Sequence, residues 1–99
     1  MPEFANVRIV PSQTDPGWVG EVDGEVLNTA QALTLRNTRL SIVLLDANGN
    51  PLGGGSGTTY SPLPSGSRMV FLATSGFDAI PLDRALTPVV SVEPSYSAG

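Results

Sequence analysis

The chain contains no cysteine, no histidine and no lysine. Without cysteine there is no disulfide, no thiolate nucleophile and no zinc–thiolate centre. Losing histidine removes the commonest general base and the commonest metal ligand. Lysine's absence excludes Schiff-base chemistry and leaves no side-chain amine for an isopeptide crosslink. Serines are plentiful, but no ordinary base remains to activate one. These gaps point away from an enzyme and from a bound cofactor.

Positive charge is also scarce. Arg8, Arg36, Arg39, Arg68 and Arg84 are the only basic side chains, and the net charge is −4. No run of them could track a phosphate backbone, so no nucleic-acid partner is expected. An anionic membrane surface is disfavoured for the same reason. No window approaches the roughly 18 apolar residues of a spanning helix, so direct membrane insertion is not expected. No signal peptide is visible, and Met1–Phe4 reads as an added remnant or the start of an excised domain. The expected location is extracellular or in the cell envelope, with a signal or anchor lying upstream.

With 99 residues, 40% of them hydrophobic and 14% charged, the chain is expected to form one domain over 1–99, ordered over about 5–94. A domain this size buries about two thirds of its unfolded surface, enough for a core without crosslinks. Eleven glycines and nine prolines suit many turns between short strands.

The organising stretch is Arg39–Gly57, RLSIVLLDANGNPLGGGSG. A bulky apolar run meets Asn48-Gly49, a strong hairpin signal, and returns as a glycine-rich run. Centred there, the reversal sets Leu40, Ile42 and Leu44 opposite Gly57, Gly55 and Gly53. Ahead of it, Asn6–Val10 alternates with Val7 and Ile9 on one side. Trp18–Asn28 alternates more clearly, with Trp18, Gly20, Val22, Gly24 and Val26 on an apolar face and Val19 on the other. Gly20 and Gly24 mark a bulge or make room for a neighbour's bulky side chain. Later strands are Ser67–Thr74 and Thr87–Glu93. Phe77, Ile80 and Leu82 read as a plug at one end of the core. A helical turn fits Pro81–Leu86, and Pro94–Gly99 reads as a frayed tail. Together these predict an all-β, immunoglobulin-like antiparallel β-sandwich of six to seven strands.

The motifs resemble those of the FxLYD-type domains, small immunoglobulin-like sandwiches of prokaryotic proteins. They are Gly24-Glu25-Val26-Leu27-Asn28, Ile42-Val43-Leu44-Leu45-Asp46, Gly49, Pro51–Gly57, Pro64-Ser65-Gly66 and Met69-Val70-Phe71. The similarity runs over about 18–93 in family order. The name-giving Phe corresponds to Ile42 or Val43 and the Tyr to Leu45, both apolar replacements. What the resemblance implies is an accessory module of an exported or envelope-anchored protein, not a ligand.

Four sets of residues are candidates. Gly53, Gly55, Gly57, Thr59 and Tyr60 would form an interaction edge, for a protein partner or a second copy, if their strand ends a sheet. Trp18 and Tyr60 would form a stacking platform in the alternative reading, a carbohydrate-binding module, although the pattern places Trp18 on the core face. Glu21, Asp23 and Glu25 form an acidic stripe about 7 Å apart, read as a solvated face that discourages edge pairing. Asp46, Asn48 and Asn50 alternate like calcium ligands. A calcium loop wants a glycine midway and a bidentate glutamate at its end, where Pro51 and Gly57 stand. A turn held by the Asp46 side chain is the expected structure, with no metal.

Overall fold

A computed structural model describes residues 2–14, 16–36, 39–58, 62–77, 79–82 and 85–98. It is all-β with antiparallel sheets, and no described residue is helical. No helix in the described residues is long and apolar enough to cross a membrane. The strands are β1 (Glu3–Pro11), β2 (Trp18–Leu27), β3 (Leu33–Leu35), β4 (Arg39–Leu45), β5 (Pro51–Thr58), β6 (Arg68–Ala73), β7 (Ile80–Pro81), β8 (Thr87–Glu93) and β9 (Tyr96–Ala98). Those beyond the expected six or seven are short. The helical turn expected over Pro81–Leu86 is not found: Pro81 lies in β7, and 83–84 fall outside the described residues.

One sheet runs β1-β2-β6, with β7 also on β2; the other runs β5-β4-β8. β3 pairs with β9 in a two-stranded sheet of its own. The tail is thus a strand and not frayed. Its Tyr96 packs against Val26, Leu35 and Leu63.

The sheets meet face to face over a core of Val19, Val22, Leu40, Ile42, Leu44, Phe71, Ala73, Phe77 and Ile80. Leu40, Ile42 and Leu44 alternate along the middle strand β4 and are fully buried, as period-2 geometry requires. Phe77 and Ile80 are buried at one end, as expected of the plug.

Two bulges rewrite the alternation read from the sequence. Val10 pairs with Glu21 and Pro11 with Val19, leaving Gly20 without a partner. That extra residue flips the face of β2, so Val19 is fully buried and Trp18 turns outward. In β1, Ala5 pairs with Glu25 and Arg8 with Asp23, so Asn6 and Val7 both oppose Gly24. Asn6 takes φ 53° there, and Phe4, Val7 and Ile9 all reach the core despite their mixed parity. Phe4 meets Phe71 edge-on, with ring centroids 5.9 Å apart, so it is part of the packing. Gly24 provides the room expected of it: a Cβ would sit 2.8 Å from the Phe71 ring.

Asn28 ties the sheets together at the other end. It is fully buried, and its amide donates to the carbonyls of Leu33 and Leu63, both at 2.8 Å. Its side-chain oxygen accepts from the Ala30 amide at 3.0 Å. Asn28→Ala removes the donor to the Leu33 carbonyl, one of two donors to the Leu63 carbonyl (the Leu35 amide stays) and the acceptor of the Ala30 amide, and is expected to cost about 3 kcal/mol. Thermal denaturation should show a fall on the order of 10–20 °C; an unchanged Tm would mean that water replaces the clamp.

Candidate functional site

The glycine strand β5 ends its sheet, and its register with β4 is the one expected. Leu40 lies opposite Gly57, Ile42 opposite Gly55 and Leu44 opposite Gly53. Beyond Leu44 the ladder slips, since Leu45 pairs with Pro51 and Leu52 is left over as a bulge. Thr59 and Tyr60 fall outside the described residues.

These glycines serve close packing. A Cβ on Gly55 would lie 2.2 Å from both the Phe77 ring and the Ser75 carbonyl. On Gly53 it would lie 2.6 Å from Ile80, and on Gly57 2.7 Å from the Leu72 carbonyl. Any side chain there would push β6 and the segment after it off the sandwich. The contact is reciprocal: a Cβ on Gly76 would meet the Gly54 carbonyl. The expected glycine edge is therefore partly lidded by the turn at Ser75 and Gly76. Gly55→Ala is expected to cost at least about 3 kcal/mol, because the ring and a backbone oxygen must both move. A chemical-denaturation midpoint equal to the wild type would show that β5 sits further from Phe77.

The reversal between β4 and β5 is a turn built on Asp46. One carboxylate oxygen accepts from the amides of Asn48 at 2.8 Å and Asn50 at 2.9 Å. The Asp46 amide donates to the Asn50 carbonyl at 2.9 Å, and the Gly49 amide returns to the Asp46 carbonyl at 3.0 Å. Gly49 takes φ 83°, which a side chain would strain. The carboxylate is engaged by the loop's own backbone, as an Asx-type turn requires.

The acidic stripe lies on the outer face of β2. Arg8 Nε donates to Asp23 at 2.7 Å. Glu25 accepts from the Asn6 amide at 2.5 Å and has Arg68 at 3.8 Å. The hydrogen bond and the charge of Asp23 raise the Arg8 guanidinium above its ordinary value, so it stays cationic at any pH the fold would meet. β2 is an interior strand of its sheet, so the stripe does not guard an edge. Its charges instead tie β1 and β6 to β2 across the outer face. Within the described residues no three His, Cys, Asp or Glu side chains are grouped to hold a metal ion.

Trp18 is 38% exposed at the start of β2, opposite Pro81. Beside Pro81 is a small notch of about 230 Å³ lined by Leu52, Ala79, Ile80 and Pro81, with no charged group among them. The Gly20 bulge is what brings Trp18 to the surface, and only strand pairing reveals it. The native indole is expected to be quenched by acrylamide, with an emission maximum to the red of a buried tryptophan. A blue, quencher-resistant emission would place Trp18 in the core after all.

Tyr96 is half-buried, and its hydroxyl is enclosed without a hydrogen-bond partner among the described residues. Sequence reasoning missed Asn28 as a clamp, although an asparagine closing an apolar strand is a visible sign of a satisfied buried amide.

Neither the sequence nor the fold matches a family model, a curated protein or a solved structure at a significant level. What the surfaces can do is argued from their geometry.

Proposed function

We propose that this chain is a non-enzymatic structural or protein-interaction module of immunoglobulin-like topology, carried by a secreted or cell-envelope prokaryotic protein. β2 beside β6 in one sheet and β4 beside β8 in the other favour that topology, since the same two non-sequential pairings define immunoglobulin-like sandwiches. The resemblance to FxLYD-type domains supports the location. The missing histidine, lysine and cysteine support a role without catalysis.

One observation carries the interaction reading. Both outer strands of the β5-β4-β8 sheet are nearly free of charge: β5 has none from Pro51 to Thr58, and β8 carries only Glu93, at its end. Sheet edges that must stay single normally carry lysine or other charges against unwanted pairing. Edges without them suit strand addition by a partner. At β5 the accessible backbone is what the Ser75–Gly76 turn leaves open.

The carbohydrate-binding alternative is favoured by the exposure of Trp18. Affinity electrophoresis through gels of soluble xylan, glucan and chitin oligomers separates the two. An interaction module is expected to migrate as in a plain gel. Retardation that Trp18→Ala abolishes would replace this reading with a sugar-binding one.

A further inference from the structure

The sandwich has two long seams, and they are built differently. Along one, β5 and β6 approach closely enough that a Cβ on Gly57 would meet the Leu72 backbone. Phe77 is fully buried there. Along the other, β1 and β8 lie near each other with no backbone pairing between them. Their core-facing residues, Phe4, Val7 and Ile9 on β1 and Val90 and Val92 on β8, are only half-buried. Those of β4, one strand further in, are completely enclosed. The core is thus open along the β8 lip.

The two strands of that lip differ. β1 is bulged at Asn6–Val7 and at its end, and it carries Glu3 and Arg8, all of which discourage pairing. β8 pairs with β4 over its whole length with no register shift. Its outward backbone groups can be assigned. The Ser91 hydroxyl reaches the Ser41 carbonyl at 3.4 Å, so Ser41 turns its backbone toward β8 and Ser91 answers it. By alternation Pro88, Val90 and Val92 direct their backbone groups away from β4. Proline suits that parity, because it has no amide to lose from the ladder.

We infer that β8 is a self-association edge, joining antiparallel to β8 of a second copy about a two-fold axis at Val90. The inference rests on the interaction-module reading and names its partner. The strand TPVVSVE is close to self-complementary about that residue. Val90 meets Val90, Val92 meets Pro88, Val89 meets Ser91, and the one charge, Glu93, meets Thr87. No like charges oppose. Each Val90 exchanges a pair of backbone hydrogen bonds with its counterpart, and each Val92 amide donates to the second copy's Pro88 carbonyl. Pro88, Val90 and Val92 of each copy then lie against the half-buried lip of the other, on the same sheet face. The product is one continuous sheet, β5-β4-β8 followed by its two-fold mate.

Sedimentation velocity on the whole chain, from low to high micromolar concentration, is expected to show a monomer–dimer equilibrium. Val90→Pro removes an outward amide and no internal ladder bond, so it should keep the far-ultraviolet β spectrum. It is expected to raise the dimer dissociation constant at least about tenfold. A second measurement does not depend on that variant folding. The chain has no cysteine of its own, so Val89→Cys and Ser91→Cys single variants, mixed and oxidised, should form a disulfide-linked heterodimer. Either variant alone should crosslink far less. A chain that stays monomeric throughout overturns the inference. So does a dimer broken by Ser56→Pro on β5 but untouched by Val90→Pro, or a mixed sample that fails to crosslink. A monomer that also passes freely through polysaccharide gels leaves the interaction-module reading in place; retardation through Trp18 removes that reading without bearing on β8.

Discussion

The close approach of β5 to the Phe77–Ile80 segment is the constraint on which the rest of the structure depends. Side chains normally hold two sheets about 10 Å apart. Here one strand gives up its side chains on the core face, and an aromatic ring from the loop beyond β6 occupies the space. Gly53, Gly55 and Gly57 lose conformational entropy on folding, which weakens β5 as a strand in isolation. Complete burial of Phe77 and near-complete burial of Ile80 offset that loss. Glycines on β5 stand opposite the bulky residues of β4, and the space over them is taken by Ile80, Phe77 and the Leu72 backbone.

Closing one seam so tightly leaves the molecule asymmetric. The glycine seam is sealed by backbone against ring, and the opposite lip is lined by half-buried valines and isoleucine. Charge follows the same division. Arg8, Arg68 and Asn6 engage the carboxylates of β2 on the outer face of the four-stranded sheet, which stitches that sheet together. The edges of the three-stranded sheet carry one charge, Glu93 at the end of β8.

Much of this was legible in the residues. Strict alternation in Leu40, Ile42 and Leu44, the Asn48-Gly49 reversal and the glycines after it were enough to place the hairpin and its register, because a two-period pattern and a tight turn leave little freedom. The turn role of Asp46 followed from position alone. Missed features came from events that break the period. The Gly20 bulge reversed Trp18 and Val19, and the Asn6–Val7 bulge turned Phe4 inward; a bulge is defined by a partner strand, which local pattern does not contain. The acidic stripe looked like an edge guard because alternation does not say which strand lies in the middle of a sheet.

The hairpin, the all-β class and the lack of a base or thiol were therefore determined by sequence alone, through local sterics and residue chemistry. Which strands end their sheets, and that Tyr96–Ala98 pairs with β3, was decided only by tertiary structure. So was the use of the glycines, which was settled by Phe77, Ile80 and Leu72. Those residues lie far along the chain, and only long-range packing brings them over β5.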